Sequence, residues 1–200
     1  MAPKIRSIVL ISIALLAADF AVAAQTTVPA PQDQAEYVRP DVKTRRQRYL
    51  KNMFGPEALV KSVAMAGFST AENSPDEWGP HWNGFGKRVA STFGQEIISN
   101  TVRFGLEEAF ALDSHYYRSR QHAVGSRIKN ALISSVTARN AEGRRVFGFP
   151  RIVGTYSSHI IASEAWYPKR YNYKDGLKGG TISLGMTAAF NLLREFIHKK

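Results

Sequence analysis

Apolar residues recur along this chain with the 3.6-residue period of the α-helix in six stretches, separated by clusters of glycine, proline and small polar residues. The longest stretch, 84–118, contains no proline and reads as a helix of about seven turns or more, ending in the polar and aromatic cluster from Asp113 to Arg118. Before it, Asp41 is placed to cap a basic helix in which Val42, Tyr49 and Phe54 are the few apolar residues. Gly55-Pro56 then punctuates the chain and opens a second helix over 56–67. Its Leu59, Val60, Val63, Ala64 and Gly67 follow the i, i+3, i+4 rule, which predicts a well-buried face.

The stretch 68–83 holds two prolines and several turn formers and reads as a long loop whose Trp78 and Trp82 lid one end of a bundle. After the central helix, 125–139 reads as a helix with Ile128, Leu132, Ile133 and Val136 on one face. A basic, glycine-rich loop follows over 140–150, anchored by Phe147 and Phe149. A helix over 151–166 ends at Tyr167-Pro168, a tyrosine-rich connection spans 169–175, and a last helix runs from about 176 to 198.

Small residues repeat at four-residue steps on three of these helices: Gly86, Ala90 and Gly94; Gly154, Ser158 and Ala162; Gly176 and Gly180, then Gly185 and Ala189. Glycine inside a helix costs about 1 kcal/mol relative to alanine, and close approach of two helix backbones is the usual return. The expectation is an all-α fold: one bundle of five to six helices over 41–200, packed through glycine and alanine stripes. Charged residues interrupt the central helix too often for a bilayer core. The last helix comes nearest, since 179–193 carries no charge, but it is short for a span.

The N-terminus changes the picture of where the protein acts. Lys4 and Arg6 precede the apolar run 8–18 and the small residues at 21–24, the layout of a cleavable secretory signal over 1–24. A proline-containing flexible linker is expected over 25–40. Cysteine is absent, which excludes disulfides and thiolate metal sites. The formal charge of +11 favours an anionic partner, and for an exported chain an anionic envelope component or membrane surface is expected rather than nucleic acid. Seven cations are candidates for such binding: Arg45, Arg46, Arg48, Arg118, Arg120, Lys169 and Arg170. Alternatively, this charge surplus only keeps the protein soluble.

The richest set of acid-base groups is Asp113, Ser114 and His115 with Glu107, Glu108 and His122. Its spacing fits no zinc or di-iron pattern, and a hydrogen-bonded helix terminus accounts for it as well. Glu195 and His198 have the Glu-x-x-His spacing of di-iron bundles, but a bundle of that type needs two copies. No Gly-x-Ser-x-Gly elbow and no phosphate-binding loop is present, and no cofactor or metal is expected. The weak catalytic candidates are Glu108, Asp113 and His115.

Four motifs carry a resemblance: Gly84-Phe85-Gly86-Lys87-Arg88, Asp113-Ser114-His115-Tyr116-Tyr117-Arg118, Ala165-Trp166-Tyr167-Pro168 and Asn191-Leu192-Leu193-Arg194-Glu195-Phe196. Over about residues 82–196 the chain resembles a group of secreted bacterial helical proteins with no assigned activity. Ser114-His115 departs from the group, where an acidic residue and a proline more often stand before the Tyr-Arg part. The resemblance implies export and a helical fold, and no mechanism. Three readings stay open: an envelope-associated structural or interaction protein, in the periplasm or at the outer membrane; a periplasmic enzyme using Glu108, Asp113 and His115; and a peripheral membrane-binding protein. The small-residue stripes serve contacts within one chain or within a homo-oligomer equally well.

Overall fold

A computed structural model describes residues 37–197. The expected signal over 1–24 and most of the expected linker lie outside the described residues. The structure is mostly helical, with six α-helices and one small hairpin among the described residues.

Helix α1 (Val42–Phe54) starts where the Asp41 side chain accepts a hydrogen bond from the Thr44 amide. It stops at Gly55, and Pro56 at the first position opens α2 (Pro56–Ala71). A short 3-10 turn (Asp76–Trp78) leads to α3 (Trp82–Ala109), a 28-residue helix of about 42 Å at 1.5 Å per residue. Helix α4 (Val124–Ile133) precedes an antiparallel pair, β1 (Thr137–Arg139) and β2 (Arg145–Phe147), in which Thr137 faces Phe147. Helix α5 (Phe149–Ala165) lies between α3 and α6 (Tyr173–Phe196), and α6 begins with a reciprocal cap between Asn172 and Asp175. Helix α2 rests on α1 and α3, and α4 rests on α6.

Besides shifts of a few residues, such as α2 running on to Ala71 and α6 opening at Tyr173, two boundaries differ from the pattern-based expectation for a tertiary reason. The central helix ends at Ala109 instead of continuing to Arg118, because Ala111 turns into the left-handed region at φ 52° and Asp113 then pairs with Arg139 as an isolated bridge. Both main-chain groups of Asp113 bond to Arg139, at 2.8 Å each, so the segment joins the hairpin edge. For the same reason the helix expected over 125–139 ends at Ile133: Thr137, Ala138 and Arg139 are drawn into β1, and part of the expected loop 140–150 becomes β2. Around this hairpin sits a small apolar cluster of Leu112, Ala138, Val146 and Phe149.

The glycine stripes are used on α5 and on the first half of α6, but not at Gly185 of α6, which faces open space, and not on α3. A methyl group at Gly154 of α5 would stand 2.6 Å from the Ser99 carbonyl oxygen of α3, and one at Gly176 of α6 would stand 2.6 Å from the Ile160 Cα of α5. These contacts leave no room for a side chain. On α3, by contrast, Gly86 and Gly105 face open space and Gly94 meets only the Trp166 ring at 3.8 Å. The face of α3 turned inward is the polar stripe Ser91, Gln95, Ser99, Arg103 and Glu107, again at four-residue steps.

Burial is inverted elsewhere too. On α2, Leu59, Val60 (68% exposed) and Val63 point outward, while Ser62 (1%), Ala58 and Ala66 point inward, so the predicted buried face is the outer one. On α4, Ile128, Leu132 and the following Val136 are exposed, and Asn130 is buried. On α6, Ile182 and Leu193 (54%) are exposed, while Asn191 (2%) and Glu195 are buried. Trp82 is 86% exposed at the start of α3 and lids nothing, whereas Trp78 meets Tyr167 edge-on at 5.1 Å.

Several large polar side chains in the interior find partners there, although the buried hydroxyls of Ser62 and Ser114 have none among the described residues. Arg88 donates to the carbonyls of Ser74, Pro75 and Gly79 at 2.9, 2.6 and 2.7 Å and so ties the loop before α3 to the helix. Buried Glu195 accepts from the Tyr116 hydroxyl, the Ser119 amide and Arg127, which fastens the segment after α3, and α4, to α6. This explains the lone Glu-x-x-His spacing as a structural clasp; His198 lies outside the described residues.

Candidate functional site

The end of α3 brings the three catalytic candidates into one neighbourhood and gives each separate partners. Arg45 of α1 grips Glu108 with two hydrogen bonds, Nε to Oε1 at 2.6 Å and Nη2 to Oε2 at 2.7 Å, and Arg39 stands 3.7 Å away. The bonded guanidinium holds the Glu108 carboxyl below the usual carboxylate range. Asp113 is buried, and its Oδ2 accepts from the hydroxyls of Tyr37 (2.8 Å) and Tyr117 (2.7 Å). Its Oδ1 accepts from the His115 amide at 2.8 Å. Burial alone would push this carboxyl up; the donors from Tyr117, His115 and Tyr37 outweigh it and hold it down. Burial and the Asp113 bond push the Tyr117 phenol up to about 12.

The His115 ring lies beside this clasp and makes none of its hydrogen bonds. Its ring meets the Tyr117 ring edge-on at 5.1 Å. Packing against the protein and the neighbouring Arg48 charge lower its pKa to about 4, and Asp113 opposes the shift. The residue as a whole still presents an exposed surface, so water screens part of that effect. The imidazole is neutral at ordinary pH. Arg48 donates to Tyr117 at 3.0 Å, and Arg139 stacks over both Tyr37 and Tyr117. The arrangement is a cation-and-tyrosine cage closed around one carboxylate. Among the described residues no three His, Asp or Glu side chains gather as a metal ion requires.

The seven candidate cations divide. Arg45 and Arg48 turn inward, Arg118 donates to the Ile197 carbonyl, and Arg170 pairs with Asp76 and Glu77. Arg46, Arg120 and Lys169 stay exposed.

Next to the cage the polar interior opens into two adjoining cavities, about 390 and 490 Å³, that share Glu96, Ser99 and Ser183 in their walls. The smaller is bounded by α1, α2, α3, α5, α6 and the segment after α3, and its polar lining includes Lys61, Arg103, Arg151, Thr155, Thr187 and Asn191. The larger lies toward the other end, beside His159, Tyr167 and Arg170. Apart from Arg170, a candidate surface cation, sequence reasoning gave these residues no binding role. A signal for them exists: on α6, Ser183, Thr187, Asn191 and Glu195 keep a four-residue step, as Ser91 to Glu107 do on α3. Two polar stripes of the same period, on helices that are otherwise amphipathic, mark a hydrophilic interior as readily as a solvated surface.

Compared with known proteins, the chain matches no family model, no curated protein and no solved structure.

Proposed function

We propose that the protein is an exported, envelope-associated interaction protein that seats its apolar outer helix faces on a membrane surface. One observation carries this reading: the large apolar side chains of α1, α2, α4 and α6, among them Leu50, Phe54, Val60, Val63, Leu132 and Leu193, are exposed while the interior is polar. Fully burying one such side chain is worth about 1.5–3 kcal/mol, so a surface that covers several of them is bound strongly. Attachment is interfacial in this account, since no described helix is long and apolar enough to cross a membrane. The formal charge of +11 draws the chain to anionic lipid before the apolar faces engage. The closed partnering of Glu108 and Asp113 weighs toward a structural role for the cage, and so toward interaction rather than catalysis.

Flotation with vesicles containing anionic phospholipid tests the proposal. The expected result is binding that survives about 1 M salt, where the screening length falls to about 3 Å, and that detergent reverses. Protein that stays unbound even at low salt contradicts it. A stable homo-oligomer without vesicle binding reassigns the outer faces to contacts between copies, and also contradicts it.

A further inference from the structure

The smaller cavity holds positive charge that its own walls do not neutralise. Most of its carboxylates are matched with cations: Glu57 with Arg194, Glu107 with Arg103, Glu108 with Arg45, and Asp113 with Arg48 and two tyrosines. Two cations that are not exposed are left over. Among the described residues Lys61 has no carboxylate within ion-pair distance, and its ammonium stands 5.5 Å from the centre of the Phe190 ring. Arg151, 8% exposed, donates to the main-chain carbonyls of Ser134 and Ser114 and to no carboxylate. Glu96, which accepts from the Asn100 amide, offsets one of these charges, and Lys51 on the exposed side of the same cavity adds another.

An unpaired ammonium on a half-buried side chain such as Lys61 is costly to keep charged. Burial lowers the Lys61 pKa; Glu96 opposes the shift, and the fields of Arg103 and Arg151 add to it. The neutral part of the lining is of a distinct kind. Hydroxyls of Thr155, Ser183 and Thr187 and the amides of Asn100 and Asn191 border the space, alongside the apolar surfaces of Tyr49, Phe104 and Leu112. A volume of about 390 Å³ falls within the ordinary range for small-molecule sites. Arginine also has five N–H donors, so Arg151 keeps donors beyond the two committed to carbonyls.

The geometry points to a binding site for a small hydroxylated organic anion of the sugar-acid or sugar-phosphate class, its charged group held by Lys61 and Arg151 and its hydroxyls by Thr155, Ser183 and Thr187. The site is independent of the outer faces, and it stands whether or not the protein seats on a membrane.

Calorimetric titration of the full chain with glucuronate, glucose 6-phosphate and inorganic phosphate tests it. Saturable one-site binding of at least one of the two sugars is expected, and the preferred one tells carboxylate from phosphate. Lys61→Met should weaken that binding by about tenfold or more, the scale of one lost charge-assisted hydrogen bond. Lys174→Met, on the exposed start of α6 and outside both cavities, should leave it unchanged. Absence of saturable binding by either sugar overturns the proposal, as does equal weakening by both substitutions or no weakening by Lys61→Met. Inorganic phosphate binding as tightly as the sugars overturns the hydroxylated part. Should Lys61→Met fail to fold, acetylation of the unaltered protein decides: bound ligand must slow modification of Lys61 several-fold and leave Lys174 unaffected, and equal modification with and without ligand overturns the site.

Discussion

Asp113 shows how a single residue can gather chemistry and spend it on structure. Its carboxylate accepts from two phenols and a main-chain amide, and its own main chain bridges to Arg139. Because its folded pKa lies below that of a free carboxylate, it contributes stability that is present above the unfolded value of about 4 and is lost as pH falls through the folded value. Asp113→Asn should therefore cost about 1–3 kcal/mol at neutral pH and flatten the decline in stability below about pH 4, read by urea unfolding across pH. A profile parallel to that of the unaltered protein would show that the clasp does not hold the carboxylate. The density of polar and aromatic residues at 113–118 made this region legible in the sequence. Its partners were not: Tyr37 lies 76 residues away, and nothing local in its segment marks it as a donor to Asp113. Lys61 and Arg151 were hidden for a related reason, since a lone cation on an amphipathic helix reads as solvated until the opposite wall is known.

The helices themselves were legible in number and order, and their ends were not. Regular spacing reveals a helix, but Asp113 leaves helical geometry through a bridge to Arg139, a tertiary effect no local window contains, and Thr137 to Arg139 leave it by turning back in a hairpin onto Arg145 to Phe147. The small-residue stripes were read correctly as four-residue patterns of close approach on α5 and at Gly176 and Gly180 of α6, and misassigned at Gly185 of α6 and on α3, where open space faces Gly86. This separates two substitutions. Gly154→Ala should destabilise by about 1–3 kcal/mol, because the added methyl meets a main-chain oxygen that cannot move aside. Gly86→Ala should stabilise by up to about 1 kcal/mol, since the helix gains the propensity of alanine at no steric cost. Thermal unfolding of the two variants checks both signs, and two changes of the same sign would contradict the assigned packing.

Across the whole molecule, periodicity established that each helix has two unlike faces and left open which one turns inward. The usual assumption, apolar inward, fails on α2, α4 and α6, where serine, asparagine and glutamate are buried and valine, isoleucine and leucine are outside. The polar interior is consistent with itself: Arg88 and Glu195 find full sets of partners, and α3 and α6 carry polar stripes of equal step. The outer faces then await a cover, which is the basis of the membrane reading and the reason the cavities are hydrophilic. The most direct test is urea unfolding of Val60→Glu and Leu193→Glu, measured separately in detergent-free buffer. The inverted arrangement predicts stability within about 0.5 kcal/mol of the unaltered protein for both, as for other exposed positions. A loss of about 3 kcal/mol or more in either would place that side chain in a core and contradict the account.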